Sequence, residues 1–126
     1  MITGPSGSGK SDLAIRLIDR GATLVSDDQV IIERDNEILT LVTPANIAGK
    51  IELYSLGVFA CPFISNIALS LLVELSDNTD RYPLSSPTQQ ILGVTVPIIT
   101  LDGQRSSAPI KIEMALQRTM NMEPQQ

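Results

Sequence analysis

Histidine and tryptophan are absent from this sequence, and cysteine occurs once. Without histidine, imidazole-based catalytic triads and most zinc sites are excluded. A lone Cys61 excludes an intrachain disulfide and fits a reducing compartment. Cys61 stands before Pro62 in an apolar stretch, and with no imidazole to activate it the thiol reads as buried and structural. Aromatic residues make up only 3% of a chain that is 43% hydrophobic, so the core must be aliphatic. Basic residues are also scarce, nine against fourteen acidic, for a net charge of -5. That leaves no basic patch to neutralise a nucleic-acid backbone. A nucleotide remains open, because backbone amides and one or two cations hold it locally. Long apolar runs are missing too. The stretch Val58 to Leu75 is broken by Pro62, Ser65, Asn66, Ser70 and Glu74 and makes a poor membrane span. No basic segment precedes an apolar run at the start, so no secretory signal is visible and a cytoplasmic location is expected. The length of 126 residues suits one domain.

Along the chain, Met1 to Thr3 reads as a strand stub and Gly4 to Gly9 as a glycine loop. Lys10 to Arg20 reads as a helix, with Leu13, Ala14, Leu17 and Ile18 on one face and Gly21 as its C-cap. Ala22 to Val25 predicts a short buried strand ending at Ser26-Asp27-Asp28. Gln29 to Arg34 and Glu37 to Val42 predict a hairpin around Asp35-Asn36. Thr43 to Lys50 is a loop and Ile51 to Leu56 a strand closed by Gly57. Phe59 to Ser65 reads as irregular, and the composition of Ile67 to Glu74 allows strand or helix, with strand preferred. Ser76 to Thr88 is a polar connection, and short strands between Ile91 and Leu101 are interrupted by Pro97. A helix opening at Ser107, or just after Pro109, runs to about Met120. Residues 1–120 then form one catalytic domain and residues 121–126 a disordered tail.

The loop Gly4-Pro5-Ser6-Gly7-Ser8-Gly9-Lys10-Ser11 matches the pattern G-x4-G-K-[ST] in full. Glycines allow positive φ and let amide N–H groups approach phosphate oxygens. The helix that follows adds its positive dipole end. Lys10 can reach β- and γ-phosphate oxygens, and the Ser11 hydroxyl can ligate Mg²⁺. A chance match in a chain this long is on the order of one in a few hundred. Asp27 and Asp28 end the strand after the helix, where open α/β sheets direct their ligand crevice. One carboxylate can support a metal and the other can accept a proton from an incoming hydroxyl. Neighbours on an extended strand face opposite ways, so the two have different tasks.

Three blocks, Ile2 to Ser11, Leu17-Ile18-Asp19-Arg20-Gly21 and Leu24-Val25-Ser26-Asp27-Asp28-Gln29-Val30, resemble the catalytic domain of bacterial HPr kinase/phosphorylase. The likeness is strongest to the short proteobacterial form. It continues more weakly through Ile51 to Gly57 and Ile91 to Leu116. The resemblance implies an α/β fold with a phosphate loop and a phosphoenolpyruvate carboxykinase-like core. That core has a mixed β-sheet, a helix after the loop and a C-terminal helix. It implies an ATP- and Mg²⁺-dependent kinase that phosphorylates a serine of the phosphocarrier protein HPr, often as a hexamer. Nucleotide binding falls to Gly4, Pro5, Ser6, Gly7, Ser8, Gly9, Lys10 and Ser11. Asp28 would be the proton acceptor and Arg81 the arginine that stabilises the transferring phosphoryl group, with Lys10 sharing that charge. Ser11, Asp27 and Glu52 would hold the metal.

Three departures from the family pattern qualify this. The family's functional histidine precedes the phosphate loop, and this sequence contains none. Its Glu-x-Arg-Gly-x-Gly stretch reads Glu52-Leu53-Tyr54-Ser55-Leu56-Gly57 here, without the arginine charge and with serine where glycine is freer. Its Pro-Gly-Arg-Asn-like segment, tied to phosphorolysis, is replaced near Gln104-Arg105-Ser106-Ser107. The first two favour an alternative, a module that binds nucleotide or HPr without turnover. The third weighs against phosphorolysis. A third reading, an unrelated phosphate-loop kinase of a small molecule, lacks the arginine-rich lid such enzymes carry.

Overall fold

The computed structural model describes residues 1–77 and 87–121. In chain order the elements begin with β1 (Ile2–Thr3), α1 (Lys10–Asp19), β2 (Ile31–Asp35) and β3 (Ile38–Val42). A 3₁₀ turn at Ala45–Ile47 leads to β4 (Lys50–Leu53), β5 (Gly57–Ala60) and β6 (Ile67–Ala68). The chain closes with β7 (Leu72–Leu75), β8 (Thr88–Ile91), β9 (Val94–Leu101) and α2 (Ala108–Asn121). Residues 1–10 with 70–126 make one compact unit and residues 11–69 a second.

The first unit is built on a four-stranded sheet in the order β1-β7-β9-β8. β1, β7 and β9 run parallel and β8 antiparallel, so the sheet is mixed. Its strands carry the aliphatic runs. Leu72, Val73 and Leu75 are buried on β7, and Val94, Val96 and Leu101 on β9. A strand that buries both faces reads as a continuous apolar run, which is why β7 shows no clean alternation. Ala108, Ile112 and Ala115 form the buried stripe of α2 at helical spacing. Pro109 sits in the first turn of α2, where a missing N–H costs nothing. Pro97, expected to interrupt, lies inside β9. Pairing with β8 ends at Pro97 and pairing with β7 begins only at Ile98, so its absent N–H breaks no bond to β7.

The second unit holds the three-stranded sheet β2-β3-β6 and the hairpin β4-β5. Its buried residues are Leu13, Leu24, Leu39, Leu41 and Ile51. No aromatic residue is buried among the described residues, as the composition required. α1 ends as predicted. Gly21 has φ +108°, its N–H donates to Ile18 O and that of Ala22 donates to Leu17 O.

Several local expectations are corrected. Ala22 to Val25 makes only an isolated parallel bridge, Leu24 to Phe63. There Leu24 O accepts the N–H of Ile64 and Val25 O accepts the Thr43 hydroxyl, so side chain and loop replace a strand ladder. The segment read as irregular from Phe59 contains the end of β5, whose partner is β4. Ile67 to Glu74 is not one strand but β6 and β7, in different sheets. Cys61 is half-buried and free rather than buried. The polar connection from Ser76 lies largely outside the described residues. Of the tail expected over residues 121–126, Asn121 instead ends α2, where the helix continues past Met120, and residues 122–126 lie outside the described residues.

The Met1 nitrogen lies 2.9 Å from Leu71 O, which carries the β1–β7 pairing to the start of β1.

Candidate functional site

In the first unit the glycine loop joins β1 to the start of α1. Gly7 and Gly9 have φ +80° and +89°, the left-handed region that glycine tolerates. Gly4 is required for a different reason. A methyl placed there would lie 2.8 Å from Ser8 Oγ and 3.1 Å from Leu75 Cβ. The Ser8 N–H donates to Pro5 O at 3.1 Å and closes the loop's turn. Lys10 turns back over this loop, its ammonium donating to Gly4 O at 2.8 Å and to Pro5 O at 3.2 Å. Ser8 Oγ is buried with no hydrogen-bond partner, the one such side-chain atom among the described residues. A cavity of about 290 Å³ opens beside Pro5, Ser6, Gly7 and Ser8. Its opposite wall comes from the carboxyl ends of β7 and β9, with Ser76, Asp77, Asp102 and Gln104. All three parallel strands thus deliver their following loops to one cavity, as open α/β sheets do with ligand sites. Sequence reasoning missed the wall residues. The available signal was that each follows directly on an apolar strand.

In the second unit Ser11 Oγ donates to Asp27 Oδ1 at 2.8 Å, and the Glu52 N–H donates to Asp27 Oδ2 at 2.9 Å. Asp27 thereby ties the first turn of α1 to β4. Ser11, Asp27 and Glu52, picked out together from the sequence, are neighbours, but Glu52 joins through its main-chain nitrogen and not its carboxylate. Asp28 has φ +72° and the Gln29 N–H donates across it to Asp27 O at 2.8 Å. This is a γ-turn of the uncommon, strained hand. The Ser26 hydroxyl donates to Gln29 O and clamps the same turn. Strain held by surrounding bonds at a candidate proton acceptor is the kind stored at functional sites. Arg81 lies outside the described residues.

The β4–β5 hairpin carries Tyr54 and Ser55 at its tip. Leu56 N–H donates to Leu53 O at 3.0 Å, and Ser55, the third residue of that turn, has φ +72°. Glycine is favoured at such a position. Exchanging Ser55, which is exposed, for glycine should stabilise the chain by about 0.5–1 kcal/mol. A rise in urea midpoint at unchanged slope would be the sign, and a fall would refute it.

These features define an α/β protein whose mixed sheet sets a glycine-rich loop between its first strand and first helix. The family model of the HPr Serine kinase C-terminal domain matches residues 1–123, and the chain belongs to that family. HPr kinase/phosphorylase of Chlorobium limicola is 38% identical over 115 residues, covering 80% of this chain and 35% of the relative. HPr kinase/phosphorylase of Levilactobacillus brevis is 32% identical over 114 residues, covering 80% and 37%. The chain thus spans about a third of the length of these relatives. The structure of the Hpr(Ser) kinase/phosphatase from Coxiella burnetii superposes with a TM-score of 0.83 at 28% identity, covering 98% of this chain and 89% of that one. Among the described residues, no helix is long and apolar enough to cross a membrane.

Proposed function

We propose that this chain is the phosphoryl-transfer domain of an ATP-dependent serine kinase whose protein substrate is an HPr-type phosphocarrier, built on a phosphoenolpyruvate carboxykinase-like core. The observation that carries the reading is the bond between the Ser11 hydroxyl and the Asp27 carboxylate, 2.8 Å long. It pairs the hydroxyl that ends the phosphate-loop motif with an acid, the oxygen set that Mg²⁺ uses in phosphate-loop enzymes. Mg²⁺ binds through one or two carboxylates and keeps several waters, so one carboxylate and one hydroxyl are enough to hold it. Bound there, the ion would neutralise phosphate charge. Gly4, Pro5, Ser6, Gly7, Ser8 and Gly9 wrap the phosphates with main-chain amides. Lys10 leaves the two carbonyls it now holds and meets phosphate oxygens. Asp28, held in its strained turn, takes the proton of the attacking serine hydroxyl. Arg81 supplies a cation to the transferring group. The orphaned Ser8 hydroxyl supports an anion in the adjoining cavity, because a buried hydroxyl without a partner is costly unless a ligand completes it.

Incubation with Mg-ATP and HPr should yield phosphoserine on HPr, and its absence would refute the kinase reading. Asp28→Asn should remove transfer while nucleotide still binds. One observation favours a second reading, a binding module without turnover. Tyr54 is 98% exposed and uncharged at the hairpin position where the family pattern has arginine. That reading predicts nucleotide affinity with no transfer.

A further inference from the structure

We propose that Gln104 binds the phosphate chain of the nucleotide from the wall facing the glycine loop; this rests on the phosphate-loop reading above. A methyl placed on Gly9 would lie 3.2 Å from the Gln104 side-chain nitrogen, so the carboxamide sits directly over the loop's last glycine. The same side chain lines the cavity with Ser6, Gly7 and Ser8. The main chain that carries it is held locally, since the Gln104 main-chain N–H donates to Asp102 Oδ1 at 3.0 Å. Asp102 is therefore the positioning residue of this turn. The wall also presents two carboxylates, Asp77 and Asp102, which repel an anion. Of its side chains only Ser76 and Gln104 can donate a hydrogen bond, and Gln104 is the one placed over Gly9. A neutral amide in that place can donate to a phosphate oxygen and partly offset the acids around it.

The test is calorimetric titration of ATP and of inorganic pyrophosphate into the parent chain, Gln104→Ala, Gln104→Glu and Lys10→Met. Gln104 is exposed, so its substitution leaves the core untouched, and matching thermal melts verify this. Gln104→Ala should weaken both ligands by roughly three- to tenfold. Gln104→Glu should weaken them further, because it adds a charge of the same sign as phosphate, and that excess loss should shrink at high salt. If Lys10→Met loses binding while both Gln104 variants bind like the parent, the proposal is overturned and the phosphate-loop reading stands. A loss seen with ATP but not with pyrophosphate places the contact on the nucleoside and also overturns it. If Lys10→Met binds both ligands like the parent, the phosphate-loop reading itself fails and the proposal falls with it.

Discussion

Replacing Lys10 with alanine should lower phosphoryl transfer by roughly 10²–10³-fold, the scale of removing one preorganised group from a developing charge. Under the proposed function the side chain has two tasks. In the structure its ammonium spans Gly4 O and Pro5 O, at 2.8 and 3.2 Å, and so braces the loop. During transfer the same cation must face phosphate oxygens, because no other residue of the motif carries positive charge. The bracing bonds are partly exposed and contribute at most about 1–2 kcal/mol. Alanine should thus reduce the rate far more than the melting temperature. Lys10→Arg should not restore it fully, since a planar fork cannot occupy the place of a compact ammonium. Steady-state transfer assays beside thermal melts separate the two tasks. Near-parent transfer by the alanine variant would remove Lys10 from the mechanism.

Asp27 offers the second large effect, and two substitutions divide its contributions. Asp27→Ala removes the acceptor of both the Ser11 hydroxyl and the Glu52 N–H. Each bond to a charged acceptor contributes about 1.5–3 kcal/mol when buried and less where solvent reaches it. A loss of about 2 kcal/mol is expected from these partly exposed bonds. Asp27→Asn keeps a carbonyl oxygen for one donor, and the Ser11 hydroxyl can rotate to accept from the amide. Its stability should fall by less than about 1 kcal/mol. Transfer should nonetheless drop by roughly 10²-fold or more, because a neutral amide is a poor Mg²⁺ ligand. Excess Mg²⁺ should recover part of that loss. Denaturant titrations and a magnesium series on both variants give the comparison. Equal activity of Asp27→Asn and parent would refute the metal role.

Much of the candidate site's local geometry was legible because its signals are local. The spacing from Gly4 to Ser11 is written in consecutive residues, and the apolar stripe of α1 follows at once. Gly21 announced the helix end. The errors occurred where distant partners decide. Ala22 to Val25 has strand composition, yet Thr43 and Ile64 take its carbonyls. Ile67 to Glu74 is mostly apolar, and its one internal polar residue, Ser70, does not by itself mark where one sheet is left for another. Pro97 reads as a break, yet it sits where one pairing ends and the other begins.

The sequence by itself determined an aliphatic α/β chain with a complete glycine-lysine loop and an acidic pair after the first helix. Composition and short-range spacing carry that information, because backbone freedom, helix periodicity and charge are properties of neighbouring residues. Only the tertiary structure decided that Asp27 holds the Ser11 hydroxyl and the Glu52 main chain. It alone showed that Asp28 stands in a strained turn and that Gln104 lies over Gly9. The relations of Asp27 and Gln104 join residues far apart in the chain, and a hydrogen bond or steric contact exists only once folding has brought both partners within a few ångströms.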